Sequence, residues 1–210
     1  MKVFVAGATG RVATELVKTL SEKGHQVIAG ARSPERVVHF EHVEAVAMDL
    51  HASVADLAQL LTGSEAVIFT AGSRGKDLLQ TDAFGAVKLM QAAKVAGVKR
   101  FVMLSGLYSL TPEKWTEPPM SNLTDYYIAK FFADNYLVNQ SGLDYTILQP
   151  GALLEEEGTG QIAVGDVGIT SIPIPDVAAS LAQVLEEPAT IGQVTAIHPG
   201  NTPIEQAFDQ

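Results

Sequence analysis

Residues 2–13 read KVFVAGATGRVA, and the fold follows from how this stretch changes character half-way along. Val3, Phe4, Val5 and Ala6 form an apolar run with β-branched and aromatic side chains, the mark of a buried strand. Gly7-Ala8-Thr9-Gly10 then turns the chain, and an amphipathic helical pattern starts at once with Arg11. Gly7 can take backbone angles closed to other residues, Gly10 lets the main chain close on a ligand, and Ala13 is small enough for the helix to pack on the strand. The helix N-terminus adds free N–H groups and a partial positive charge. Strand, glycine turn and helix predict a cradle for the pyrophosphate of a dinucleotide. The spacing is G-x-x-G-x-x-A, one residue wider at its start than the commonest such fingerprint.

The rest of the chain suits one domain spanning residues 1–210. Hydrophobic residues make up 47% and charged residues 18%, enough apolar material for a sizeable core. The formal net charge of −10 argues against nucleic acid or an anionic membrane as partner, and leaves a small-molecule substrate. A monomer or homodimer is expected. There is no cysteine, so disulfide and thiol chemistry are excluded. The start of the sequence has no charged-then-apolar signal pattern and no apolar run reaches membrane-spanning length, so the expected location is cytoplasmic. His25, His39, His42, His51 and His198 are scattered without metal-ligand spacing, and Ser105-Gly106 lacks the first half of a serine elbow.

Strand patterns at His25–Ala31, Glu44–Met48, Ala66–Ala71, Arg100–Ser105 and Tyr145–Gln149 alternate with helical patterns at Arg11–Lys23, Val54–Leu61, Leu79–Ala96 and Asp125–Gln140. That alternation predicts an α/β fold, a doubly wound parallel sheet with its ligand at the carboxyl ends of the strands. After Pro150 the sequence becomes glycine-rich, with an acidic run at Glu155-Glu156-Glu157 expected to be a solvated loop. A helix over Asp176–Glu186 and a strand over Gln193–His198 complete what reads as a small C-terminal cap on the substrate side. Residues 151–174 and 106–122 are expected as substrate-side loops. In the second, Trp115 and Tyr108 either stack on a flat substrate or anchor the loop.

Two groups of residues suggest the chemistry. The second strand ends in Gly30-Ala31-Arg32-Ser33, where an NAD site would place a carboxylate for the ribose hydroxyls. Arg32 can instead pair with a 2′-phosphate and Ser33 can add a hydroxyl, which favours NADP over NAD. Asp49 and Leu50 end the third strand and can meet the adenine. Tyr126 and Lys130, four apart on a helix, share a face. The Lys130 cation is expected to lower the phenol's pKa and suit Tyr126 to proton transfer at a carbonyl or alcohol, with Ser105 bonding the same oxygen.

The segments GATGRVA, TAGS at 70–73, LSG at 104–106, DYYIAK at 125–130, SGLDYTILQPG at 141–151 and the tail DVAASLAQVLEEP together resemble the short-chain dehydrogenase/reductase superfamily. The short length is similar to its atypical branch of NmrA-like and epimerase-like proteins. The resemblance implies a Rossmann fold in which Gly7, Thr9, Gly10, Arg11 and Val12 hold the pyrophosphate and Thr70, Ala71 and Gly72 lie beneath the ribose. It further implies Pro150 and Gly151 at the nicotinamide carboxamide, Tyr126 as general acid/base, Lys130 as its tuner and ribose contact, and Ser105 as its upstream partner. Asp82 stands where catalytic members carry an asparagine in a proton relay, a departure that changes the relay's charge. The implied activity is NADP-dependent hydride transfer to or from a small carbonyl, alcohol or sugar-nucleotide-like substrate. The alternatives are a non-catalytic NADP(H) sensor and a flavin or quinone reductase.

Overall fold

In a computed structural model, which describes residues 1–209, the predicted alternation closes into one twisted sheet. Strands β1 (Lys2–Ala6), β2 (Gln26–Ala31), β3 (Val43–Ala47), β4 (Ala66–Phe69), β5 (Arg100–Leu104) and β6 (Asp144–Pro150) run parallel in the order 3-2-1-4-5-6. The crossovers are helices α1 (Arg11–Glu22), α2 (Val54–Leu60), α3 (Phe84–Val95) and α4 (Thr124–Asn139).

The inner strands β1, β2, β4 and β5 are apolar on both faces, because both faces are covered, whereas the edge strand β3 exposes Glu44, Ala45 and Ala47. Successive side chains alternate: Val3 and Val5 of β1 enter one core with Ala13, Leu16 and Leu20 of α1, while Phe4 and Ala6 enter a second core with Leu57 of α2 and Leu89 and Met90 of α3. The same alternation places Ile68 and Val102 in the first core and Val67, Phe69, Phe101 and Met103 in the second. The continuous apolar runs of the sequence are thus the signature of a sheet buried between two helical layers.

The C-terminal segment widens the sheet more than it caps it. It supplies β7 (Ala152–Leu154), β8 (Gln161–Val164), β9 (Ser171–Pro173), α5 (Ile174–Glu186), β10 (Gln193–Pro199) and β11 (Thr202–Pro203). β10 pairs parallel with β6, β8 pairs antiparallel with β10, and β11 pairs antiparallel with β8 at the edge. The parallel pair β7–β9 stands apart from the main sheet. α5 packs beside α1, bringing Val177, Leu181 and Val184 into the first core. β10 matches the strand expected over Gln193–His198; the other added strands are two to four residues long, too short for a recognisable alternation.

The helical pattern over Leu79–Ala96 is also more divided than its hydrophobic spacing suggests. A π-helical turn, Leu78–Ala83, precedes α3. Its wider winding re-aims side chains relative to an α-helix, and both Thr81 and Asp82 line the cleft at the carboxyl ends of the strands.

Candidate functional site

The order of the strands reverses between β1 and β4, and a cleft of about 800 Å³ opens there at their carboxyl ends. It is the crevice expected of a doubly wound sheet. The turn after β1 forms its floor. Gly7 and Ala8 donate from their main-chain N–H groups to Gly30 O at 2.9 and 3.0 Å, and Gly10 N–H donates to Gly7 O at 2.9 Å. Gly7 has φ of +89°, and a Cβ there would lie 2.6 Å from Ala71 Cα. Only glycine lets this turn reach the end of β4 so closely.

α1 starts without a capping side chain and without an acidic residue in its first turn. Its first amide protons are therefore free to meet an anion, and Thr9, Gly10, Arg11 and Val12 all line the cleft. Of the chain's fourteen lysines and arginines, six line this one cleft: Arg11, Arg32, Arg36, Arg74, Lys76 and Lys130. Against the three carboxylates of the same lining, Asp49, Asp77 and Asp82, they leave the cleft with an excess of cations on a protein of net charge −10. The uncapped helix end, the cradle and these cations fit a phosphate-rich dinucleotide. Arg32 follows β2 as expected and Arg36 stands beside it at the wall, whereas Ser33 lies outside the lining and begins the short turn Pro34–Arg36. Asp49 and Leu50 line the same side, and Asp49 Oδ1 accepts from His51 N–H at 2.8 Å. His51 Nε2 lies 2.7 Å from Asp77 Oδ2, joining the loops after β3 and β4 across the cleft. The Thr81 hydroxyl and His51 hold the Asp77 carboxyl below the usual carboxylate range.

Beneath the middle of the cleft, Thr70 Oγ1 donates to Ala6 O at 2.8 Å, with Ala71 and Gly72 following in the lining. Asp82 is buried, and its Oδ2 accepts from Ser73 N–H at 3.0 Å. It fixes the loop after β4 and makes no hydrogen bond to Tyr126 among the described residues.

At the far end, Ser105, Tyr126, Lys130, Pro150 and Gly151 come together from β5, α4 and β6. The Tyr126 ring lies against Gly106, where a Cβ would stand 3.1 Å from the phenol oxygen. Lys130 is buried, with Nζ 5.8 Å from the centre of the Tyr126 ring and donating to Leu104 O at 3.4 Å. The expectation of a lowered Tyr126 pKa is not met. Burial pushes the phenol well above its ordinary value, and the carboxylates of Asp134 and Asp82 push it further. The ammonium of Lys130 is turned to a carbonyl and does not outweigh them. Ser105 spends its hydroxyl proton on Asp134, which also accepts from Ser109.

Sequence reasoning misses Asp134, although it falls one turn beyond Lys130 on the same face of α4 and is wholly buried. It misses Arg36 and Arg74 as well, because nothing local marks a loop arginine as facing a distant strand end. The expected substrate-side loops lie partly elsewhere. From residues 151–174 only Gly151 and Leu153 line the cleft, and no residue of 106–122 does. Trp115 anchors its loop: Nε1 donates to Tyr108 O at 2.8 Å, and the indole stacks on Tyr127 at 5.5 Å between centroids. The Tyr108 hydroxyl in turn bonds Asp166. The run Glu155-Glu156-Glu157 is exposed as expected, and Glu155 also reaches Arg11 Nη1 at 2.7 Å across the mouth of the cradle.

A family model described as NAD(P)H-binding matches residues 7–188, from the cradle to the end of α5. The chain belongs to this NAD(P)H-binding family. It is 38% identical over 216 residues, 99% of each chain, to the sugar epimerase YhfK of Bacillus subtilis, itself uncharacterised. The crystal structure of the oxidoreductase ylbE from Lactococcus lactis matches it with a TM-score of 0.97 and 47% identity, covering 100% of this chain and 95% of that one. A Bacillus halodurans structure, named provisionally as an NAD-dependent epimerase/dehydratase, gives 0.88 and 34% over 100% and 99%. The fold is therefore the Rossmann arrangement of an atypical short-chain dehydrogenase/reductase, as the sequence motifs suggested. No helix among the described residues is long and apolar enough to cross a membrane.

Proposed function

We propose that the chain is an NADP-dependent oxidoreductase acting on a small carbonyl, alcohol or sugar-nucleotide-like molecule, working as a monomer or homodimer. The observation that carries this reading is the meeting of Tyr126, Lys130 and Ser105 at one end of a cleft whose other side presents Arg32 and Arg36. The amide groups at the start of α1, with Gly7 and Gly10, would hold the pyrophosphate; Arg32 would take the 2′-phosphate; Pro150 and Gly151 would border the nicotinamide. When bound, the cofactor supplies or takes up the hydride.

The chain's own part is to position and to move a proton. Tyr126 carries its hydroxyl proton at neutral pH, as a phenol does. From the end of the cleft it can give that proton to a substrate oxygen as negative charge grows there, which is the reducing direction. Lys130, on the next turn, supplies the positive charge that stabilises the phenolate left behind. Asp82 keeps the loop after β4 in place through Ser73, a positioning role in this reading.

The test is NADPH consumption across a panel of carbonyl and quinone compounds, in the wild type and in Tyr126→Phe. A carbonyl activity that survives the substitution undiminished would remove Tyr126 as the proton donor, and tyrosine-independent reduction of free FMN would assign a flavin reductase instead. The turning of Lys130 towards Leu104 O favours one second reading, a cofactor sensor without turnover. Tight NADPH binding with no consumption on any member of the panel would select it.

A further inference from the structure

Tyr126, Lys130 and Asp134 occupy positions i, i+4 and i+8 of α4 and so share one face. The first two have roles at the substrate oxygen; the third is a carboxylate with no exposure to solvent. Its Oδ2 accepts hydroxyl protons from Ser105 and Ser109, Gln149 Nε2 donates to Ser109 Oγ at 2.8 Å, and its Oδ1 has no hydrogen-bond partner. A purely structural site of this shape would be served better by a neutral side chain, since a buried charge with half its acceptors empty is costly. What a carboxylate does that a neutral group does not is accept without ever donating.

We propose that Asp134 is a positioning residue for the cleft, fixing the hydroxyl of Ser105 so that Ser105 meets a ligand as a hydrogen-bond acceptor. This rests on the reading of Tyr126 as the proton donor, and deepens it. A serine hydroxyl has one proton; with that proton committed to Asp134, only lone pairs face the cleft. A ligand atom resting on Ser105 is then one that carries a proton, a hydroxyl and not a bare carbonyl. The carbonyl oxygen falls to Tyr126. The chemical class that satisfies both is a carbonyl compound with a hydroxyl beside it.

The groups facing the Asp134 carboxylate are Lys130 and Tyr126 from α4, the hydroxyls of Ser105 and Ser109 from the segment after β5, and Gln149 of β6 by way of Ser109. Burial is the largest influence and raises the Asp134 carboxyl above its ordinary value; the two hydroxyls and the Lys130 ammonium lower it without outweighing burial.

The experiment is a pH titration of the Asp134 side-chain carboxyl by 13C NMR, assigned through the backbone, in the wild type, Ser105→Ala and Ser109→Ala. It needs no substrate, so a failure of the oxidoreductase reading leaves it interpretable. The expected result is an Asp134 carboxylate that is ionised at pH 7 and titrates roughly one pH unit higher in each serine variant, because each hydroxyl donor stabilises the charged form. A midpoint unmoved by Ser105→Ala overturns the proposal. So does an Asp134 that stays protonated from pH 5 to 9 in the wild type, since it would then donate to Ser105 and leave the serine's proton free. Should Ser105→Ala fail to fold, Ser105→Gly removes the same hydroxyl and takes its place.

Discussion

Replacing Gly7 by alanine is the sharpest structural test of the cradle, because two separable penalties fall on one methyl group. The first is conformational. At φ of +89° a Cβ is disfavoured whatever surrounds it, at a cost of about 1–2 kcal/mol. The second is steric: the new methyl would lie 2.6 Å from Ala71 Cα, 2.7 Å from its N and 2.9 Å from its Cβ, mostly main chain that cannot swing aside. Overpacking of that kind costs about 1–3 kcal/mol more. Gly24 separates the two, since it has φ of +80° with nothing within 4 Å of an added methyl. Gly24→Ala should therefore lose about 1–2 kcal/mol, and Gly7→Ala about 2–5 kcal/mol, from the two penalties added. At about 2–4 °C per kcal/mol for a chain of this size, Gly7→Ala should melt roughly 4–20 °C lower. Urea denaturation with a fixed m-value gives the comparison directly. Because the methyl would displace the turn from the end of β4, dinucleotide affinity should also fall in Gly7→Ala and not in Gly24→Ala. If the two variants lose the same stability, the close approach of Gly7 to Ala71 is not what shapes the turn.

Tyr126→Phe should lower carbonyl reduction by about 10²–10⁴-fold while leaving the NADPH dissociation constant within about twofold, as steady-state kinetics and calorimetry would register. Arg100, at the opposite end of β5, donates to Asp144 O at 3.0 Å and to Val184 O and Thr190 Oγ1, and its burial lowers the guanidinium pKa to about 10. Arg100→Met should cost about 2–3 kcal/mol in urea denaturation, by removing hydrogen bonds from a charged donor, and leave cofactor binding intact. Burial raises the Glu186 carboxyl, but Lys23 at 2.7 Å and His25 at 2.9 Å outweigh it and hold it below 4.5. The stability linked to it is complete above pH 4.5 and is lost as pH falls through its lower native value. Glu186→Gln should flatten that acid limb, and an unchanged limb in thermal denaturation would count against the linkage.

Most of the frame is legible in the sequence because it is local. The run Val3–Ala6, the turn at Gly7 and the amphipathic α1 each state their conformation within a dozen residues, and the strand–helix rhythm does the rest. Arg32 and the Tyr126–Lys130 pair can be found for the same reason: each is fixed by its place in one element. Asp134, Arg36 and Arg74 cannot, since their meaning depends on which loops the sheet brings together. The Tyr126 phenol illustrates the limit most clearly. Its helical neighbour Lys130 suggests a lowered pKa, but burial, Asp82 from before α3 and the unforeseen Asp134 decide the direction. The tail's part in the sheet is not legible because β8, β10 and β11 find their partners only across the finished edge of the sheet.

The central claim is that this cleft takes a dinucleotide whose 2′-phosphate meets Arg32. Isothermal calorimetry with NADPH and NADH, on the wild type and on Arg32→Ala, tests it most directly. The account predicts NADPH binding with a dissociation constant on the order of micromolar, weakened about 10–100-fold in Arg32→Ala, with NADH weaker in the wild type and little changed by the substitution. No heat with either nucleotide at millimolar concentration, or equal losses for both in Arg32→Ala, would contradict it.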